Sequence, residues 1–374
     1  MSRRFIHTPE GVRDIYGREF TKKLLLENQI QQVIRSYGYE DIQTPTFEFM
    51  DIFSEEVGTT PSKELYKFFD KDGNTLVLRP DFTPSIARCA AKYFLEEEVP
   101  LRFCYLGNTF TNTSSLQGKL KEVTQMGAEL INDDSVEADA EMLSLVIEAV
   151  KSTGLKDFQL CIGHSDFFKG LCEEAGLEPE TEETLREYIS GKNYFAAENL
   201  LKSEKIEEVY VTALLKVADM FGDIASLKAF KDTIHNEKSL QAVERLEKLY
   251  EVLKLYDVEK YVSFDLGMLS QYHYYSGIIF KAYTYGIGDA IVKGGRYNHL
   301  LKHFGKNAPA IGFVIVIDDM QEALNRQKVV WNLPNQKQVI TYRPENYPQQ
   351  LAACLALRKQ GLMVELIPEN NPTI

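Results

Sequence analysis

Two histidines are spaced as metal ligands on a helix would be. His299 and His303 are four residues apart, so both imidazoles would face one side of a helix, where they could bind zinc. Zinc normally takes three or four protein ligands, and no cysteine or third histidine lies nearby in the sequence. We therefore interpret the pair as solvated or packed side chains and expect no metal.

The cysteines argue against zinc and against a disulfide framework. The chain has five, they are scattered, and no two form a Cys-x-x-Cys pair. Disulfides are rare in reducing compartments, so this usage fits a cytoplasmic protein. The positions are Cys89, Cys104, Cys161, Cys172 and Cys354.

Glycine and arginine offer a second kind of chemistry, which is anion binding. Gly294-Gly295-Arg296-Tyr297 follows a predicted strand, where backbone amides could cradle a phosphate. Two glycines are a weak signal for such a loop, and a tight turn that needs positive φ is the commoner reason for them. Arg79 could be an anion contact or a structural ion pair, whereas Arg88 and Arg102 are predicted to be structural.

Length and composition predict a globular protein of two or three domains. The chain has 374 residues, of which 44% are hydrophobic and 26% charged, close to the globular average. Its longest charge-free apolar stretch, near residues 310–317, is much shorter than the ~18 residues of a membrane span. No apolar run follows the first basic residues, so we expect neither a membrane segment nor a secretory signal.

The charge balance disfavours nucleic acid as a partner. Lys and Arg number 42 and Asp and Glu 55, which gives a formal net charge of -13. Binding to phosphate backbones depends on clustered basic side chains that release counterions. An acidic chain without a basic stretch therefore predicts a protein that does not bind nucleic acid.

The elements that must position these residues can be predicted from apolar periodicity. Leu26, Ile30, Val33 and Tyr37 form one stripe of a first helix, and Gly38 is placed to end it. Helices and strands of this kind predict an α+β fold, in which helices pack on one antiparallel sheet.

Turn and cap signals mark the next elements. Residues 66–70 and 75–79 flank Asp72-Gly73-Asn74, which indicates a hairpin. Asp134 with Glu137 is predicted to cap the helix that follows the central strands.

Domain boundaries follow from changes in composition. Residues 165–260 are rich in Leu, Glu, Lys and Ala and show helical spacing, so we predict an all-helical insertion there. The insertion would lie within a core domain over residues 1–325. Residues 333–374 show a strand, a helix and a strand, and about 40 residues are too few for an ordinary domain, which predicts a truncated α/β segment.

Four segments in this order and spacing carry a resemblance to a known family. They are Thr8-Pro9-Glu10-Gly11-Val12-Arg13-Asp14-Ile15, Leu78-Arg79-Pro80-Asp81-Phe82-Thr83, residues 103–110 with Gln125-Met126-Gly127-Ala128-Glu129, and Tyr274-Tyr275-Ser276-Gly277-Ile278-Ile279-Phe280 with residues 294–297 and 310–313. Together they resemble histidyl-tRNA synthetase, a class II aminoacyl-tRNA synthetase, over about residues 5–320. The resemblance implies the class II sheet flanked by helices, with residues 294–297 lining the ligand pocket.

The departures from the synthetase concern the cations that handle ATP. At three positions where the resemblance implies an arginine, this chain has Thr111, Ser270 and Asp319. Adenylation builds negative charge on phosphorus that preorganised cations must meet, and losing one such donor typically costs ~10²–10³ in rate. These replacements therefore predict a chain without synthetase catalysis.

The amino-acid half of the pocket is retained. The resemblance implies six side chains that bind L-histidine: Asp81, Thr83, Gln125, Glu129, Tyr274 and Tyr275. The first three would surround the α-amine, because a carboxylate forms charge-assisted hydrogen bonds with an ammonium group. Glu129 and Tyr275 would hold the imidazole, whose two nitrogens need one donor and one acceptor.

A histidine pocket beside a dismantled ATP site resembles the regulatory subunit family of ATP phosphoribosyltransferase, in histidine biosynthesis. Members carry Leu-Arg-Pro-Asp, found here at residues 78–81, where the synthetase has Leu-Arg-Pro-Glu. The resemblance implies a non-catalytic chain that has no cofactor and senses histidine as a feedback inhibitor. It also implies a partner, a short-form catalytic subunit that needs this chain for activity. It also implies a homodimer within a hetero-octamer.

Two other functions stay open at this point. One is a divergent, active histidyl-tRNA synthetase, against which the three replaced arginines and the short C-terminal segment count. The other is a synthetase-like module that senses uncharged tRNA, as in stress kinases, against which the charge of -13 counts.

Overall fold

The structure, a computed structural model, divides into two compact units. The units are Met1–Val329 and Val330–Ile374. The described residues are 6–53, 60–113, 120–231, 234–269, 274–331, 333 and 337–369. Ser270, one of the replaced arginine positions, lies outside the described residues.

In the described part of the chain, the larger unit is built on a nine-stranded sheet. Its strands in spatial order are β1 (Glu40–Asp41), β5 (Leu101–Phe110), β6 (Glu122–Ile131), β12 (Ala310–Val316), β11 (Val292–Arg296), β10 (Ile278–Thr284), β7 (Phe158–His164), β9 (Val262–Asp265) and β8 (Phe221–Gly222). Neighbours from β5 to β7 are antiparallel, whereas β1 is parallel to β5 and β9 to β7. This is the predicted α+β class.

Helices of the core pack on this sheet. They are α1 (Gly17–Ser36), α2 (Thr83–Tyr93), α3 (Val136–Ser152) and α10 (Ile317–Arg326). The predicted stripe of α1 is buried at Leu26 and Ile30 and continues through Ile34, while Val33 and Tyr37 are only half-buried. Gly38 adopts a φ of 83° directly after the helix and ends it, as predicted.

The cap of α3 differs from the prediction. Ser135, not Asp134, is the N-cap, and its hydroxyl accepts a hydrogen bond from the amide of Ala138. The Asp133 carboxylate accepts hydrogen bonds from the amide and the hydroxyl of Ser135, which orients that residue. Asp134 is thereby left exposed beside Arg296, at 3.1 Å.

A long segment between β7 and β9 is mostly helical. Its helices are α4 (Ser165–Glu174), α5 (Pro179–Ser190), α6 (Tyr194–Ser203), α7 (Glu208–Lys216), α8 (Ile224–Lys231) and α9 (Glu237–Leu255). The segment is not all helix, because β8 pairs antiparallel with β9 and extends the sheet.

A second, three-stranded sheet holds the predicted hairpin. It consists of β2 (Phe47–Phe49), β3 (Lys67–Phe69) and β4 (Thr75–Leu78), with β4 in the middle. Gly73 has a φ of 87° in the turn between β3 and β4, which confirms the hairpin signal of Asp72-Gly73.

The smaller unit is a strand, a helix and a strand. β13 (Gln338–Tyr342) and β14 (Val364–Pro368) are parallel neighbours, joined through α11 (Tyr347–Lys359). Among the helices that the structure describes in either unit, none combines the length and the apolar character needed to cross a membrane.

Candidate ligand-binding site

One cavity of about 90 Å³ is lined by all six side chains that the sequence predicted to bind the ligand. They are Asp81, Thr83, Gln125, Glu129, Tyr274 and Tyr275. The cavity lies where the N-terminal end of α2 meets the strands β6, β12 and β11. A space of this size holds several water-sized groups.

Glycines on neighbouring strands make room for the acidic side chain in this cavity. Glu129, Gly312 and Gly295 lie directly opposite one another on β6, β12 and β11, and we call them the ligand row. Directly opposite residues point to the same face of a sheet. A Cβ at Gly312 would lie 1.6 Å from Oε2 of Glu129, and one at Gly295 would lie 2.7 Å from the Tyr275 ring.

These contacts correct both interpretations of the glycine pair. Gly294 and Gly295 lie inside β11, not in a loop or turn, and neither has a positive φ. A Cβ at Gly294 would come within 2.5 Å of the carbonyl oxygen of Gly312 and of the Phe280 ring. Glycine is needed here because backbone and rings approach closely, not because of φ.

Glu129 is the most deeply buried acid of the cavity, with 1% of its surface exposed. The hydroxyl of Thr83 donates to its Oε1 at 3.0 Å, and the phenol of Tyr297 donates to its Oε2 at 2.5 Å. Burial raises the pKa of Glu129 to about 8, although both hydrogen bonds oppose the shift. The carboxyl therefore changes protonation state near neutral pH.

Tyr297 lines the cavity, as the resemblance implies for residues 294–297, but its hydrogen bond to Glu129 was not among the predicted contacts. Its ring is buried and packs edge-to-face with Tyr274, at 5.9 Å between centroids. The signal that could have identified it is spacing, because Gly295 and Tyr297 are two residues apart and so face the same side of an extended chain.

Asp81 brings a second carboxylate to the cavity from the other side. Its Oδ1 accepts from the amide of Thr83 at 3.1 Å, at the start of α2, and its Oδ2 accepts from the phenol of Tyr274 at 3.4 Å. Burial raises the pKa of Asp81, against the effect of these hydrogen bonds. Two acids in one small cavity favour a ligand with an ammonium group.

Gln125 has a hydrogen-bonding group that its surroundings leave unused. Its Oε1 is buried and lacks a hydrogen-bond partner among the described residues. Buried polar atoms are nearly always paired in folded proteins, so an acceptor of this kind beside a cavity indicates a ligand donor. The same cavity holds the Asp81 carboxylate, so both acceptors suit one ammonium group.

The side where the resemblance expects ATP chemistry carries acids. Asp318 accepts from the Thr124 amide at 2.7 Å and pairs with Lys23 at 3.0 Å, and both side chains of that pair are more than 90% buried. Asp318 and Asp319 both lie in the first turn of α10, where acidic residues stabilise a helix. Asp319, in this turn, stands where the resemblance implies an arginine.

The arginines of the two signature segments have structural contacts. Arg79 donates to the backbone carbonyls of Thr44 and Asn108 and stacks on Phe82, 4.0 Å from the ring centroid. It is therefore structural, and within the described ranges it forms no ion pair. Arg296 is 1% exposed and donates twice to the carboxylate of Asp139. Neither guanidinium faces the ligand cavity.

The histidine pair is exposed and does not lie on an α-helix. A short 3₁₀ helix covers Leu300–Phe304, with His299 as its cap and His303 inside it. Across the ranges that the structure describes, no group of three or more His, Cys, Asp or Glu side chains could hold a metal ion. All five cysteines are free thiols.

We expect Glu129→Gln to flatten the pH dependence of stability in the ligand-free protein. A pKa raised from 4.5 to about 8 means that the folded protein holds one more proton than the unfolded chain between these pH values. The wild type should therefore lose stability as pH rises through this window, by roughly 3–5 kcal/mol more than the variant.

Urea unfolding from pH 4.5 to 8.5 measures this difference. His164 contributes the opposite slope, because burial lowers its pKa to about 3, but it does so in both proteins and cancels. Parallel pH profiles for wild type and variant would contradict the prediction.

Comparison with known proteins agrees with the geometry. The histidyl-tRNA synthetase family model matches residues 11–320. A protein of Acetivibrio thermocellus named ATP phosphoribosyltransferase regulatory subunit is 42% identical over 96% of this chain and 86% of its own length. One of the same name from Ruminiclostridium cellulolyticum is 39% identical over 98% of this chain and 87% of its own length.

A solved structure shares the fold. The crystal structure of an ATP phosphoribosyltransferase regulatory subunit/histidyl-tRNA synthetase from Bacillus halodurans superimposes with a TM-score of 0.88 and 31% identity. The superposition covers 99% of this chain and 94% of the solved chain.

Proposed function

Since the chain belongs to the ATP phosphoribosyltransferase regulatory subunits, a family with the histidyl-tRNA synthetase fold, we propose that it senses histidine for a short-form catalytic subunit. A regulatory subunit of this enzyme works in histidine biosynthesis. The finer proposal has three parts: a histidine pocket, no synthetase chemistry of its own, and a catalytic partner that needs this chain for activity.

The observation that carries the proposal is the chemistry of the cavity. Asp81, Thr83 and the unpaired oxygen of Gln125 suit an α-amine, which offers three donors. Glu129 with Tyr275 suits an imidazole, one nitrogen of which donates while the other accepts. A single ligand with both groups is histidine.

The absence of synthetase chemistry is supported by charge. Thr111 is neutral, and in the first turn of α10 Asp319 stands where the resemblance implies a cation for the triphosphate. We therefore propose binding without adenylation, without a cofactor and without nucleic acid.

Regulation then requires a coupling free energy between the histidine pocket and the surface that meets the partner. Such couplings are typically ~1–3 kcal/mol, and they are reciprocal. The catalytic subunit must therefore change the affinity of this chain for histidine by the same factor by which histidine changes the affinity between the two chains. We propose that the coupled unit is a homodimer of this chain within a hetero-octamer.

Mixing the chain with a short-form catalytic subunit tests the proposal. We expect phosphoribosyltransferase activity only when both chains are present, and inhibition by histidine. Assayed above pH 8, where Glu129 is ionised, Glu129→Gln should keep the activation but raise the histidine concentration for half inhibition ~10–100-fold, because a charge-assisted hydrogen bond is lost.

The matched control is Glu148→Gln, which changes an exposed acid of α3 paired with Lys151. Equal weakening of inhibition by both variants, or no saturable histidine binding in calorimetry, would contradict the pocket assignment. Histidine-dependent exchange of pyrophosphate into ATP would instead support the divergent synthetase.

A further inference from the structure

We propose that Lys293 of β11, supported by Lys281 of β10, binds the α-carboxylate of the ligand. The inference rests on the proposed histidine pocket and concerns the one charged group of histidine that the six predicted side chains leave without a partner. All six are acidic or neutral, so a cation for the carboxylate must come from elsewhere.

Strand register places the two lysines on the face of the sheet that carries Glu129. Gly127, Val314, Lys293 and Lys281 lie directly opposite one another on β6, β12, β11 and β10, and we call them the lysine row. Gly127 is two residues from Glu129, so the lysine row and the ligand row share a face and lie ~7 Å apart.

The positions of the residues proposed to bind the amine also favour a carboxylate site near β11. Asp81 and Thr83 approach from α2, where Phe82 stacks on Tyr105 of β5 at 4.3 Å between centroids. β11 and β10 lie on the opposite side of β12. Lys293 of β11 lines the same 90 Å³ cavity as Asp81 and Glu129, so it can meet the carboxylate of a histidine whose amine faces Asp81.

A larger cavity of about 690 Å³ adjoins the first and is locally basic. The two cavities share Lys293, Gly294 and Tyr275. The larger one is lined by three lysines and two aspartates, in a chain whose net charge is -13. Lysines outnumber aspartates there by one, so the lining does not repel an anionic ligand group as the overall charge of the chain would.

The two lysines repel each other in the absence of an anion. Like charges directly opposite on neighbouring strands are destabilising. Lys293 pairs with Asp289 at 3.0 Å, but both side chains are at least one-third exposed and such pairs contribute little. Lys281 has no hydrogen bond or ion pair among the described residues, and burial together with Lys293 lowers its pKa. A carboxylate between them relieves this repulsion.

Calorimetry with histidine and histidinol tests the proposal on the full-length protein. Histidinol keeps the amine and the imidazole but has an alcohol in place of the carboxylate. We expect the wild type to bind histidine ~10–100-fold more tightly than histidinol, because one charge-assisted contact contributes in this range. Lys293→Met should remove most of this preference by weakening histidine alone, Lys281→Met should reduce it less, and Lys293→Arg should keep it.

Lys151→Met is the control, because Lys151 is a partly exposed lysine that pairs with a nearby acid, Glu148, as Lys293 does with Asp289. An unchanged preference in Lys293→Met with an unchanged unfolding midpoint overturns the proposal. So does inorganic phosphate that binds together with histidine without changing its affinity, since the lysines would then form a separate anion site. A wild type that binds neither ligand refutes the histidine pocket itself, whereas equal binding of both refutes the carboxylate subsite alone.

Discussion

Gly312→Ala is expected to weaken histidine binding more than ~100-fold and to lower the free energy of unfolding by about 2–4 kcal/mol. The new Cβ would lie 1.6 Å from Oε2 of Glu129 and 2.9 Å from the carbonyl oxygen of Ala128. The carboxyl group cannot move aside freely, because Thr83 and Tyr297 hold its two oxygens. Moving it leaves buried polar groups unpaired, which costs ~1–3 kcal/mol for each.

Calorimetry and urea unfolding measure both effects. Gly288→Ala is the matched control, since a Cβ there meets no atom within 4 Å and φ is not positive, so stability should change by less than ~0.5 kcal/mol. Adding Glu129→Ala to Gly312→Ala should restore part of the stability, because the clashing partner is removed. Histidine affinity within tenfold of wild type in Gly312→Ala would refute the close contact.

Arg296→Met is expected to lower the free energy of unfolding by about 3–5 kcal/mol. Arg296 is 1% exposed and Asp139 is fully buried, so the change leaves a buried carboxylate with Arg245 as its remaining charged partner. Arg296 also donates to the carbonyl of Asp133, next to the N-terminus of α3. The network joins α3, α9 and β11, so histidine affinity should fall as well.

Denaturant unfolding at pH 7 measures the loss. Arg13→Met is the control, because Arg13 forms an exposed pair with Glu19 and such pairs contribute at most ~1 kcal/mol. Combining Arg296→Met with Asp139→Asn should recover part of the stability, since the uncompensated charge is then absent. A loss below ~1 kcal/mol for Arg296→Met alone would show that the network contributes little.

Local elements of the fold could be predicted because their signals are local. The stripe of Leu26 and Ile30, the end of α1 at Gly38 and the hairpin at Gly73 each depend on residues a few positions apart. The sequence predicts Asp134 as the N-cap of α3, one residue before the observed Ser135. Asp134 and Ser135 both have capping side chains, and the hydrogen bonds from Ser135 to Asp133 decide between them.

The candidate site also has features that the sequence could predict and others that it could not. The six predicted side chains come from segments that the sequence resemblance could align one by one, and they line a single cavity. The hydrogen bond from Tyr297 to Glu129 could not be predicted in this manner. Tyr297 is 168 positions away along the chain, and its contact depends on two registers, β6 with β12 and β12 with β11.

By itself the sequence determined the α+β class, the order of most elements, the family, and the identity of six residues that line one cavity. Tertiary structure alone decided the purpose of Gly294 and Gly295, the structural roles of Arg79 and Arg296, and the alignment of Lys281 with Lys293 across two strands. The physical reason is that cross-strand neighbours, buried charges and close backbone approaches arise from pairings between distant segments. Periodicity and composition within one segment carry no information about these pairings.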